Sequence, residues 1–174
     1  GFVYPAETLR QIVKIARDYD LFLIFDETYI NMVYNGYKTV PLSDVIEGVP
    51  GISMKGISKE FPWPGSRCGW MEIYNADKDE TFARYIDIIL KQKMSEVCST
   101  TLPQMSIPRI MNHPEYEKYL QQRIEHYERL SNIAYNILKD VPCLIVNRTN
   151  GAFYMTVVFN EAFLNNRQSL PIEH

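Results

Sequence analysis

The stretch Leu-Phe-Leu-Ile-Phe-Asp-Glu-Thr-Tyr, residues 21–29, decides the fold class of this chain. Its five apolar residues, 21–25, lie between Asp20 and Asp26. A short apolar run bounded by acids is typical of a strand covered on both faces, as in a parallel sheet. Residues 5–18 carry apolar side chains at helical spacing. We therefore expect a helix that leads into a buried strand.

A second apolar strand is predicted at residues 52–57, directly before Ser58 and Lys59. Alternating helices and strands indicate a parallel βαβ unit with a right-handed crossover. Residues 68–75 predict a third strand, and its connection from Lys59 is too short for a helix, so it should run antiparallel. Ligands of open α/β sheets bind beyond the carboxyl ends of parallel strands, which is where we expect Asp26 and Lys59.

Lys59 and Arg67 are candidate ligand-binding residues. A lysine at the end of a buried strand has no packing role, and desolvation makes its amine nucleophilic. Arg67 follows a loop stiffened by Pro62 and Pro64 and turned at Gly65. Its planar guanidinium fits a phosphate through two parallel hydrogen bonds. The pair suits a phosphorylated aldehyde, with pyridoxal phosphate as the obvious candidate, although each residue alone also fits an ordinary surface role.

Asp26 and Tyr29 add the groups that such a ligand needs. A carboxylate at the position of Asp26 pairs with a pyridinium nitrogen and keeps the ring protonated, which makes the ring an electron sink. The hydroxyl of Tyr29 is within reach of the ring oxygen. Taken singly, Asp26 also fits a turn or helix cap, and Tyr29 also fits a core aromatic.

Together these motifs resemble the class I and II aminotransferases, the fold-type I pyridoxal phosphate enzymes. In that family an Asp-x-x-Tyr ends one strand, a Ser-Lys pair ends the next, and an Arg follows eight residues after the Lys. The matching residues here are Asp26, Tyr29, Ser58, Lys59 and Arg67, and the Gly69-Trp70 pair that commonly follows the Arg is also present.

The resemblance implies an α/β fold. Residues 1–112 would form part of the three-layer, mostly parallel sheet of the large domain, and residues 113–174 a long helix and the start of an α+β small domain. It implies pyridoxal 5'-phosphate held by Lys59 as a Schiff base, and amino-group transfer between an amino acid and a 2-oxo acid in a cytoplasmic homodimer. Its implied catalytic residues are Lys59, Asp26 and Tyr29, and its implied cofactor contacts are those three with Ser58 and Arg67.

The family pattern is incomplete here. The family often has a hydroxyl residue three positions before the Lys as a phosphate ligand, and this position is Gly56, with Lys55 as a possible substitute. The resemblance places Gly1 at the end of an Asn-Pro-x-Gly turn and implies further chain on both sides. We therefore expect residues 1–174 alone to lack turnover and to associate through the unpaired apolar edge of the strand at 21–25.

The second half of the chain predicts helices at 77–98 and 113–139 and a hairpin of 144–146 with 152–159. The resemblance places Ser99-Thr100-Thr101 near the cofactor phosphate of a dimer partner, although an N-cap role is the simpler interpretation. Gly-Ala-Phe-Tyr at 151–154 resembles the strand that borders the substrate entrance in the family. Packing alone accounts for its two aromatic residues.

Composition limits the other function classes. The net charge of −3, with dispersed basic residues, does not favour nucleic-acid or anionic-membrane binding. No apolar run approaches the roughly 20 residues of a membrane span. Three cysteines without metal-like spacing favour a reducing, cytoplasmic compartment, and no metal site is expected. His113 and His126 fit capping or surface roles.

Three alternatives to an aminotransferase stay open at this point. A lyase or decarboxylase can use the same electron sink on the same scaffold. An aminotransferase-like sensor domain can be fused to a DNA-binding head in a transcription regulator, and Gly56 leaves room for a degenerate structural module. The sequence does not select an amino-acid substrate.

Overall fold

The computed structural model describes residues 1–161. Its helices are α1 (Ala6–Asp18), α2 (Glu80–Met94), α3 (Thr101–Met111) and α4 (Tyr116–Leu138). Its strands are β1 (Leu23–Asp26), β2 (Gly51–Gly56), β3 (Gly69–Tyr74), β4 (Leu144–Val146) and β5 (Val157–Phe159). The end of the second predicted domain, residues 162–174, lies outside the described residues.

Three strands form one mixed sheet in the order β1-β2-β3. β1 pairs with β2 in parallel, with Asp26 opposite Met54, and β2 pairs with β3 antiparallel, with Gly56 opposite Gly69. Both predicted strand directions are therefore confirmed. Because side chains alternate along a strand, Asp26, Met54 and Gly56 belong to one face of the sheet and Lys55 to the other.

The two faces of the sheet are covered unequally. One face packs on α1 through a core that includes Leu9, Val13 and Ala16. On the other face, Phe82 and Ile86 of α2 cover the sheet around Ile52. The prediction that the first strand is covered on both faces is wrong, because Ile24 is 47% exposed. Within residues 1–161 β1 also pairs on one side only.

The helical predictions hold apart from their ends. The helix predicted at 77–98 is α2, which a 3-10 turn at Ala76–Lys78 precedes. Thr100 occupies the N-cap of α3 without a side-chain capping hydrogen bond. The contact of residues 99–101 with the cofactor phosphate of a dimer partner stays a prediction. Within residues 1–161 no helix has the length and apolarity to cross a bilayer. The predicted boundary at 112/113 falls between α3 and α4, and the division into two domains stays a prediction.

The segment between β4 and β5 is not a tight hairpin turn. Asn150 donates its backbone N–H to the carbonyl of Gly1 at 2.8 Å and accepts from the N–H of Tyr34 at 3.0 Å. Ala152 N–H donates to the carbonyl of Met32 at 2.8 Å. These bonds attach the segment to the first residue of the chain and to residues 32–34, which follow β1. β4 pairs antiparallel with β5, with Leu144 opposite Phe159, so the predicted hairpin is confirmed. Its second strand is shorter than predicted, Val157–Phe159, because the backbone at 150–152 pairs with the first half of the chain instead.

Gly56 of β2 and Gly69 of β3 lie opposite each other, and the different space around them gives a stability prediction. A Cβ on Gly69 would lie 2.6 Å from the carbonyl oxygen of Lys55, whereas the nearest atom to a Cβ on Gly56 lies at 3.6 Å. Gly69→Ala must displace a strand backbone and should lower the free energy of unfolding by about 1–3 kcal/mol. Gly56→Ala is the matched control and should cost about 0.5 kcal/mol or less.

Urea unfolding of both variants in the intact polypeptide that contains this chain measures the difference. Equal losses would contradict the close approach of the two strands at Gly69.

Candidate active site

Asp26 ends β1 with its carboxylate oriented by the next turn. Its Oδ1 accepts hydrogen bonds from the backbone N–H of Thr28 at 3.1 Å and from the Thr28 hydroxyl at 2.7 Å. This Asx turn is the structural role that the sequence left open. Within residues 1–161, Oδ2 accepts no hydrogen bond. One oxygen therefore fixes the turn, and the other is available to a ligand.

Tyr29 lies half-buried among aromatic side chains from the far end of the described chain. Its hydroxyl donates to the hydroxyl of Tyr154 at 3.1 Å. Its ring lies edge-on to Phe153, with centroids 5.5 Å apart. Burial, then the hydrogen bond to Tyr154 and the negative charge of Asp26, raises the pKa of Tyr29 well above its ordinary value. Tyr29 is therefore a protonated hydrogen-bond donor at neutral pH.

Lys59 reaches the same aromatic group from β2. The strand ends at Gly56, Ile57 is fully buried, and Lys59 follows in a turn with its side chain half-buried. Its Nζ lies 5.6 Å from the ring centroid of Phe153, a cation–π contact. Tyr29 and Lys59 therefore contact one ring, and Asp26 lies three residues before Tyr29.

The structure does not bring Ser58 or Arg67 into this group. Ser58 is half-buried and makes no hydrogen bond within residues 1–161. Arg67 is exposed, and its Nη1 donates to the carbonyl of Pro64 at 2.8 Å, within its own loop. Their roles as cofactor contacts stay predictions.

Lys55 is not placed to substitute for a phosphate ligand at position 56. Its Nζ donates to Glu72 Oε2 at 2.8 Å and lies 3.7 Å from Glu27 Oε2. Burial alone would raise the pKa of Glu72, but the hydrogen bonds from Lys55 and Tyr74 outweigh it, and the pKa is lowered. The amine of Lys55 is therefore engaged on the sheet face opposite Asp26.

A cleft of about 480 Å³ lies beside the first part of the site. Its wall includes Asp26, Tyr29, Ile24 and Gly151, but not Lys59. The volume lies in the ordinary range for small-molecule sites. Asp26 and Tyr29 therefore line the cleft, whereas Lys59 does not.

Sequence reasoning missed two groups of residues near Lys59. It assigned Phe153 and Tyr154 to packing, although they contact Lys59 and Tyr29. The signal was the Gly-Ala-Phe-Tyr motif at 151–154. It also missed Arg123, whose Nη2 donates to the carbonyl of Lys59 at 3.1 Å, and no local pattern marks this contact.

The fold and site first define a class. This is an α/β protein whose mixed sheet carries an acid at the end of one parallel strand and an amine just beyond the next, the usual ligand position of open α/β sheets.

Comparison with known proteins then gives the family. The family model for aminotransferase class I and II matches residues 1–170, so the chain belongs to that family. An uncharacterized aminotransferase of Methanocaldococcus jannaschii is 58% identical over 174 residues, which are all of this chain and 40% of that protein. Tyrosine aminotransferase of Caenorhabditis elegans is 36% identical over 90% of this chain and 33% of its own length.

A solved structure agrees with this assignment. The alanine aminotransferase from Pyrococcus furiosus superposes with a TM-score of 0.78 at 27% identity, over 91% of this chain and 39% of that one. The chain thus spans 33–40% of the length of these relatives.

Proposed function

We propose that the intact protein containing this chain is a pyridoxal phosphate-dependent aminotransferase that moves an amino group between an amino acid and a 2-oxo acid. The observation that carries the proposal is the convergence of Lys59 and Tyr29 on the ring of Phe153, next to the carboxylate that ends β1. Membership of the aminotransferase family supports it.

The donor set of the site fits pyridoxal phosphate. The open Oδ2 of Asp26 is an acceptor for a protonated ring nitrogen. The raised pKa of Tyr29 keeps its hydroxyl protonated, so its single O–H can turn from Tyr154 to a ring oxygen of the cofactor. Lys59 supplies the primary amine. When bound, the cofactor supplies an aldehyde for that amine and a ring that accepts the electron pair of a carbanion.

The chain's own groups then have separate tasks. Nζ of Lys59 takes the proton from the α-carbon of the amino acid and returns a proton later in the reaction. Asp26 keeps the ring nitrogen protonated through its negative charge. The hydroxyl of Tyr29 orients the ring oxygen, and the ring of Phe153, 5.6 Å from Nζ, holds the amine of Lys59 beside Tyr29.

Phosphate anchoring is assigned to Arg67, with Ser58 as a second contact. Arg67 is exposed, and within residues 1–161 its guanidinium bonds only to the Pro64 carbonyl, which leaves its remaining donors for a phosphate. The absence of a hydroxyl at Gly56 removes one ligand that the family pattern supplies.

A homodimer in the cytoplasm is part of the same proposal. The family resemblance supports the dimer. The three cysteines Cys68, Cys98 and Cys143 form no disulfide, as a reducing compartment requires.

Product analysis tests the proposal. The intact protein, supplied with pyridoxal phosphate, is incubated with a panel of acidic, aromatic, aliphatic and sulfur amino acids, with and without a 2-oxo acid. We expect a new amino acid only when the 2-oxo acid is present. Release of carbon dioxide or ammonia without an acceptor would instead identify a decarboxylase or lyase, and no product in either condition would contradict the proposal.

A further inference from the structure

Side chains on one face of α4 hydrogen-bond to the turn that carries Lys59. Tyr116, Tyr119, Arg123 and Tyr127 follow one another at spacings of three and four residues, which places them on the same side of the helix. The hydroxyl of Tyr116 donates to the buried carboxylate of Glu60. Consecutive residues, Lys59 and Glu60, are therefore both held from α4.

Arg123 is the centre of this contact. Its guanidinium lies over the rings of Tyr127, at 5.3 Å, and Tyr119, at 5.9 Å. Its Nη2 donates to the carbonyl of Lys59 at 3.1 Å. Its Nε is buried and has no hydrogen-bond partner within residues 1–161.

Packing alone does not explain the position of Arg123, because placing its charge there has an energetic cost. Within the described part of the chain no carboxylate forms an ion pair with it. Arg123 is half-buried, and a buried Nε without a partner on a cation without a counter-charge is unfavourable unless other interactions compensate. The rings of Tyr119 and Tyr127, the Tyr127 hydroxyl at 3.4 Å from Nη2 and the Lys59 carbonyl provide this compensation.

Arg123, Tyr127 and Phe153 form a connected set of contacts that begins at the carbonyl of Lys59 and ends at its amine. Arg123 holds its carbonyl and stacks on Tyr127, and Tyr127 lies against Phe153 with centroids 5.5 Å apart. Phe153 in turn contacts Nζ of Lys59. Both the backbone and the amine of Lys59 are thus supported by one connected set of side chains.

We propose that Arg123 is the positioning residue that fixes Lys59 for proton transfer, acting through the Lys59 carbonyl and the Tyr127–Phe153 stack. This inference rests on the proposed function, because it assigns Lys59 the proton transfer. It adds a helix-borne arginine that touches neither substrate nor cofactor.

The test uses Arg123→Met in the intact protein, since methionine keeps much of the packing volume and removes every donor. Arg123→Lys is the conservative variant. Arg129→Met is the matched control, because Arg129 is an exposed arginine of the same helix that bonds only to His126 within residues 1–161. Thermal unfolding of each variant sets a working temperature at which all are folded.

We expect kcat of Arg123→Met to fall about 100-fold with KM changed less than about threefold, because a small misplacement of a reacting group has an effect of that size. The visible circular dichroism of the bound cofactor should weaken, and Arg123→Lys should recover much of both signals. Unchanged kcat and dichroism, as in Arg129→Met, would overturn the inference.

A backbone measurement separates this inference from the proposed function. Hydrogen exchange of residues 57–63 without cofactor should be faster in Arg123→Met than in Arg129→Met, whatever the enzyme catalyses. Unchanged exchange there overturns the positioning role. If exchange is faster in Arg123→Met but the protein performs no amino-group transfer, the contact between Arg123 and the Lys59 backbone is supported. The proposed function and the catalytic part of the inference are then contradicted.

Discussion

Replacing Lys59 with alanine in the intact protein should reduce transamination by roughly 10⁴-fold or more, the largest effect we expect from any single substitution. Under the proposed function, the variant loses both the amine for the covalent bond to the cofactor and the base for the α-proton. Some cofactor binding should remain, because Asp26, Tyr29 and Arg67 are unchanged. Turnover with the panel of amino acids and equilibrium dialysis of the cofactor measure the two quantities.

Lys118→Ala is the control for this experiment. Lys118 lies exposed on α4, where it pairs with Glu115 at 3.1 Å. Its loss should leave turnover within about twofold of the wild-type value, since isolated surface ion pairs contribute little. Normal turnover in Lys59→Ala would exclude Lys59 from the chemistry.

Asp26→Asn should lower kcat by about 10²- to 10³-fold, the range for removal of one oriented electrostatic group. Asparagine keeps the side-chain oxygen that accepts the two hydrogen bonds from Thr28, so the turn after β1 should survive. The substitution removes the negative charge to which the proposed function assigns protonation of the cofactor ring nitrogen.

The matched substitution is Asp44→Asn, at an exposed acid whose Oδ1 accepts a hydrogen bond from Ser43. It removes the same charge away from the site and should leave kcat nearly unchanged. If both variants lose activity equally, or if Asp26→Asn is fully active, Asp26 does not contact the ring nitrogen.

The sheet was predictable from local sequence. The apolar runs at 21–25 and 52–57 mark two strands, and the short connection without a helix makes β3 antiparallel. The prediction that the first strand is covered on both faces was wrong, because coverage depends on which helices lie over β1. An apolar run alone does not encode that.

The site was predictable only in part. Asp26, Tyr29 and Lys59 stand out because charged or phenolic groups directly follow apolar strands. Phe153 is marked only by the Gly-Ala-Phe-Tyr motif, which does not reveal its contact with Lys59, and Arg123 is not marked at all, because both contacts join residues far apart in the chain. A cation–π contact and a bond to a backbone carbonyl leave no spacing pattern, so sequence reasoning assigned Phe153 to packing and left Arg123 unnoticed.

The central claim is that Lys59 joins the cofactor covalently, and reductive trapping tests it most directly. The intact protein with pyridoxal phosphate is treated with borohydride, which reduces the carbon–nitrogen double bond, and is then digested with trypsin. Because trypsin does not cleave after a modified lysine, we expect one peptide of residues 56–67 that carries the reduced cofactor on Lys59. Free peptides 56–59 and 60–67, with the label on another lysine or on none, would contradict the account.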